Sequence, residues 1–66
     1  MAIIVNGELK EMTGEITVAK LLKNHDLKPE LTVVQINKEI VPKEKYNKHI
    51  VNDGDEVELI KFMAGG

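Results

Sequence analysis

The chain has 66 residues, 42% of them apolar, with nine lysines, no arginine, eleven acidic residues and no cysteine, for a net charge of −2. That length holds a single domain with a small core. The lack of cysteine excludes disulfides, thiolate metal sites and a thiol nucleophile, and the mildly acidic balance speaks against nucleic acid.

Met1 to Val5 is apolar and β-branched, which predicts a strand. It is far too short to span a bilayer, and no basic segment precedes it. Cytoplasm is therefore the expected compartment, with no membrane partner. Asn6-Gly7 predicts a hairpin turn, because both residues tolerate positive φ. The return strand is Glu8 to Met12, with Leu9 expected to point inward.

Ile16 to His25 predicts a short helix. Thr17 suits the N-cap, and Val18, Leu21 and Leu22 fall on one stripe. Ile16, just before the cap, can staple against the first turns. Pro29 cannot extend the helix. Leu31 to Ile36 reads as a strand, Asn37-Lys38-Glu39 as a turn, and Ile40-Val41 as a brief strand that Pro42 keeps from a central position. Lys43 to Lys48 predicts one charged helical turn holding the only tyrosine. Ile50-Val51 lead into the turn Asn52-Asp53-Gly54-Asp55, where Gly54 suits positive φ. Glu56 to Phe62 is the last strand.

Strands and one helix mixed without strict alternation predict an α+β fold: a mixed sheet of four to five strands with one helix packed across one face. Residues 1–62 are expected to form the body, and Met63-Ala64-Gly65-Gly66 a flexible tail. Strand alternation sends Ile3, Val5, Val34, Ile36, Val57 and Leu59 toward the helix. It sends Ile4, Val33, Ile60 and Phe62 to the bare face. These four are expected to cluster as a partner-binding patch at the root of the tail.

The tail spans at most about 14 Å when extended. Gly65 and Gly66, lacking Cβ atoms, let the walls of a narrow channel close on the backbone. A terminal carboxylate ionises near pH 3.3–3.7, so it is charged near neutrality. A carboxylate repels nucleophiles and lacks a leaving group, so chemistry at Gly66 requires activation by another protein. This chain carries no phosphate-binding loop of its own.

Ile36 to Gly66 closely resembles the bacterial thiamine-pathway sulfur carriers of the ThiS type. The resemblance rests on Ile36-Asn37, Ile40-Val41-Pro42, Glu44, an aromatic at Tyr46, His49, Val51, Asp53-Gly54-Asp55 and Gly65-Gly66. Many members carry a larger aromatic where Tyr46 stands. The length and the first hairpin agree too, so the likeness covers the whole chain.

The resemblance implies the ubiquitin-like β-grasp fold and a carrier rather than an enzyme, monomeric when free and holding no cofactor itself. It implies a ThiF-type adenylyltransferase that spends MgATP to make an acyl adenylate at Gly66. A sulfur donor system would then form a thiocarboxylate there, and a ThiG-type thiazole synthase would accept the sulfur. Met63, Ala64 and Gly65 would thread into the partner's site.

Rival readings are a molybdopterin synthase small subunit, a ubiquitin-like protein modifier and a plain binding module. The first is disfavoured by Val41-Pro42, Asp53-Gly54-Asp55 and the short length. His25 and His49 read as loop residues, His49 with a structural hydrogen bond. Asp53, Asp55, Glu56 and Glu58 form an acidic run that could steer docking on a basic partner. The run lacks the ligand spacing and distal glutamate of a calcium loop, and no metal site is expected.

Overall fold

The computed structural model describes residues 1–62. A five-stranded sheet is built from β1 (Ala2–Val5), β2 (Glu8–Glu11), β4 (Thr32–Ile36), β5 (Glu39–Val41) and β7 (Glu56–Lys61). Its order is β2-β1-β7-β4-β5. β7 is the central strand, parallel to β1 and antiparallel to β4. The helix α1 (Val18–Asn24) covers one face. The expected α+β architecture is thus present, with five strands.

Each hairpin turns on two residues in the left-handed backbone region, the first of them an asparagine. Asn6 and Gly7 have φ of 49° and 84°, and Asn37 and Lys38 have 52° and 71°. Two successive positive values favour the tight two-residue loop that matches strand twist. The expectation at Gly54 also holds, with φ of 84°.

Thr17 caps α1: its hydroxyl accepts the Lys20 N–H at 3.2 Å. Val18, Leu21 and Leu22 are fully buried against Ile3, Val5, Val34, Ile36, Val57 and Leu59. Burying one such side chain contributes about 1.5–3 kcal/mol, so this stripe and the inward sheet positions supply most of the core. Val41, Tyr46 and Val51 complete it.

Two features went unforeseen. Ile16–Thr17 (β3) pairs antiparallel with Ile50–Val51 (β6) in a separate two-stranded sheet. Ile16 therefore works as a strand residue entering the helix, packed at the core's edge. Pro29–Leu31 forms a 3₁₀ turn, so β4 begins at Thr32. The expected single turn after Pro42 is a 3₁₀ turn at Lys43–Lys45.

Leu9 does not point inward; it is 67% exposed. A two-residue loop at Asn6-Gly7 sets Val5 opposite Glu8 and Ile4 opposite Leu9. Residues directly opposite share a face, so Leu9 must stand with Ile4 on the side away from the helix.

Candidate docking face

The sheet surface opposite α1 is the one large face that no described element covers. Its outward strand positions carry Leu9 and Glu11 on β2, Ala2 and Ile4 on β1, and Glu56, Glu58 and Ile60 on β7. They are joined by Val33 and Gln35 on β4 and Ile40 on β5. None of these positions is a lysine. An apolar and acidic surface of this kind fits a partner with basic groups around an apolar patch.

The four predicted patch residues do lie on this face, but not in one cluster. Val33 sits directly opposite Ile60, which is 41% exposed. Phe62 follows two residues later and is 53% exposed. Its N–H donates to the Leu31 carbonyl at 2.7 Å, so the β4 side holds the chain through Phe62. Ile4, half-buried, is level with Glu56 and opposite Leu9. That puts it four residues, or about 13 Å, along β7 from Ile60. The face thus has an apolar spot at the C-terminal end of β7 and a second one, Ile4 with Leu9, toward the far end. Glu58, Gln35 and exposed Ile40 share the row between.

Sequence reasoning sent Leu9 to the wrong face and passed over Ile40. Both could have been found by counting across the two-residue turns. Asn37-Lys38 sets Ile36 opposite Glu39 and Gln35 opposite Ile40, just as Asn6-Gly7 aligns Ile4 with Leu9.

The turn asparagines do more than turn. Asn37 donates its N–H to the Glu56 carbonyl at 2.8 Å, and its side-chain Oδ1 accepts the Glu56 N–H at 3.0 Å. Asn6 accepts the Leu59 N–H on Oδ1 at 2.8 Å and donates from Nδ2 to the Leu59 carbonyl at 3.4 Å. Both hairpin tips thereby grip β7, the last strand before residues 63–66.

The acidic run divides by role. The Asp53 carboxylate accepts the Ala2 N–H at 2.7 Å. The Asp55 carboxylate accepts the Asn52 N–H at 2.8 Å and an Asn37 Nδ2–H at 3.0 Å. These two aspartates fasten the turn to β1 and to the second hairpin. Glu56 and Glu58 stay exposed on the uncovered sheet face.

The structural bonds of His49 run through its main chain. It donates to Lys45 at 2.8 Å and accepts from Val18 at 2.9 Å, which fastens the start of α1. His25 caps the end of α1 through its own N–H. Among the described residues, no group of three or more His, Asp or Glu side chains could hold a metal ion. No described helix is long and apolar enough to cross a membrane. Met63, Ala64, Gly65 and Gly66, the expected threading segment and modified residue, lie outside the described residues.

Comparison with known proteins agrees with this architecture. The model of the ThiS family matches residues 3–66. The sulfur carrier protein ThiS of Escherichia coli is 36% identical over 66 residues, covering all of both chains. That of Bacillus subtilis is 37% identical over 57 residues, covering 86% of this chain and 83% of the relative. A thiazole synthase of Paramagnetospirillum magneticum is 38% identical over the whole of this chain, which spans only 20% of that protein. The crystal structure of a thiamine biosynthesis protein (ThiS) from Geobacter metallireducens superposes with a TM-score of 0.84. It is 33% identical, with full coverage of both chains.

Proposed function

The chain belongs to the ThiS family, and on that footing we propose that it is a sulfur carrier of thiamine biosynthesis, loaded as a thiocarboxylate on Gly66. The observation that carries the reading is the family match running through residue 66, on a body whose central strand leads straight to that segment. The chain acts as a co-substrate; the catalytic groups belong to its partners.

The steps follow from carboxylate chemistry. A ThiF-type adenylyltransferase brings MgATP, and a carboxylate oxygen of Gly66 attacks the α-phosphorus. Pyrophosphate leaves and an acyl adenylate forms. A sulfur donor system then delivers a sulfide equivalent to the acyl carbon. The C–S bond forms, the C–O bond to AMP breaks, and a thiocarboxylate remains. At a ThiG-type thiazole synthase the sulfur bonds to a carbon of the enzyme's substrate, an oxygen from the substrate or from water bonds to the acyl carbon, the C–S bond to Gly66 breaks, and the carboxylate returns. The likeness to part of a thiazole synthase supports that acceptor.

The body supplies presentation. Val33, Ile60 and Phe62 give a partner an apolar contact at the tail root, and Glu56 and Glu58 guide a basic surface toward it. Met63, Ala64, Gly65 and Gly66 together then reach about 14 Å at most into the partner. This chemistry is assigned to the cytoplasm, where ATP is available.

Complementation tests the reading. A thiamine auxotroph lacking its own carrier should grow with this chain and fail with a version lacking Gly66. Growth supported by the truncated chain would contradict the assignment.

A further inference from the structure

The central strand β7 loses one neighbour before it ends. Its main-chain groups alternate between its two sides. The N–H of Phe62 reaches the Leu31 carbonyl at 2.7 Å and that of Asn37 reaches the Glu56 carbonyl at 2.8 Å, so even-numbered residues serve the β4 side. Odd-numbered residues serve the β1 side. The N–H groups of Ile4 and Asn6 donate to the carbonyls of Asp55 and Val57, each at 2.9 Å.

There the backbone of β1 turns away. The next odd residue, Leu59, is met by a side chain instead, with both of its main-chain groups bonded by the Asn6 carboxamide. Lys61 comes next. It stands opposite Thr32, whose own groups are directed elsewhere. The Thr32 carbonyl accepts the Tyr46 hydroxyl at 2.8 Å, and the Thr32 N–H goes to Pro29. The N–H and C=O of Lys61 therefore point to the β1 side, beyond the hairpin tip, where no described strand lies.

We propose that this is a slot for strand addition: an extended segment of a partner enzyme pairs with Lys61, starting where the Asn6 carboxamide stops. The inference rests on the carrier reading and adds how the partner grips the chain. Main-chain pairing at Lys61 fixes the direction in which the strand leaves the body, a task that an apolar patch does poorly because apolar contact is non-directional. One residue offers only two hydrogen bonds. That is too little to hold a second copy of this chain, since stable interfaces bury above about 1,000 Å². For an enzyme already seated on Val33, Ile60 and Phe62, the same two bonds add to an existing contact.

The test uses the full-length chain and the adenylyltransferase. Lys61→Pro removes the N–H, and proline is tolerated where that group faces outward. Lys61→Ala keeps the N–H and removes the side chain. Binding should weaken about tenfold or more for Lys61→Pro and less than twofold for Lys61→Ala. In unsubstituted protein, hydrogen exchange at the Lys61 amide should slow at least tenfold on complex formation, a readout that does not depend on the proline variant folding.

Equal binding by folded Lys61→Pro, or an unchanged Lys61 exchange rate in the complex, would overturn strand addition by the enzyme. So would protection of that amide in the free protein that grows with its concentration, since a second copy would then be the occupant. Failure of the unsubstituted chain to bind at all would instead remove the carrier reading, and this pairing with it.

Discussion

Tyr46 is held in the core by two kinds of contact. Its ring is buried among the apolar side chains, while its hydroxyl donates to the Thr32 carbonyl at 2.8 Å. Tyr46→Phe leaves that carbonyl without its partner and should destabilise the fold by about 1–3 kcal/mol. Thermal unfolding would register this as a drop of roughly 4–8 °C per kcal/mol. Burial pushes the Tyr46 phenol above its ordinary value, against a smaller opposing pull from the Val34 main chain. The folded state therefore keeps its proton at a pH where the unfolded chain gives it up. This contribution is fully present below about pH 10, the unfolded value, and is lost as pH rises through the folded one. Denaturant titrations from pH 9 upward should show a steeper loss of stability in the parent than in Tyr46→Phe. Parallel curves would contradict that role.

At the scale of elements, α1 is short enough for one cap to matter. Seven residues make only about two turns, and such a helix depends on its cap and its packing. Thr17→Ala should cost about 1 kcal/mol, and a melting temperature within one degree of the parent would refute the cap. This helix and most of the strands were legible because each carries a local signal: a capping threonine, an i, i+3, i+4 stripe, a β-branched run. The β3–β6 pair was not, because two-residue strands have no period to read and pair across more than thirty residues. Leu9 was misjudged for a different reason. Its own strand is exposed at every position, so hydrophobicity alone suggested the wrong face, and only the register through Asn6-Gly7 corrects it. The grip of Asn6 on Leu59 was also hidden, since composition marks an asparagine as a turn residue and says nothing about a strand 53 positions away. The layout of the uncovered sheet face was half legible. Alternation found Val33, Ile60 and Phe62, but parity alone does not report that Ile4 lies far along the sheet.

Viewed whole, the molecule is asymmetric in what it offers. One sheet face meets the helix and the core. The other carries apolar spots and glutamates, and the central strand leads from it toward residues 63–66. If partner enzymes seat on the spot at the tail root, Ile60→Ser and Phe62→Ser should each lower affinity about tenfold, as burial of one apolar side chain allows. Leu9→Ser, at the other end, should change it less than twofold. Equal losses at all three positions, by calorimetry on folded variants, would argue against a localised seat. The central claim concerns Gly66 itself. The chain should be incubated with the adenylyltransferase, MgATP and a sulfur donor, then measured by intact and C-terminal peptide mass spectrometry. The account predicts a gain of about 16 Da, oxygen exchanged for sulfur, confined to the peptide ending in Gly66. An unchanged mass there, or Gly66 joined instead to a lysine of another protein, would contradict it.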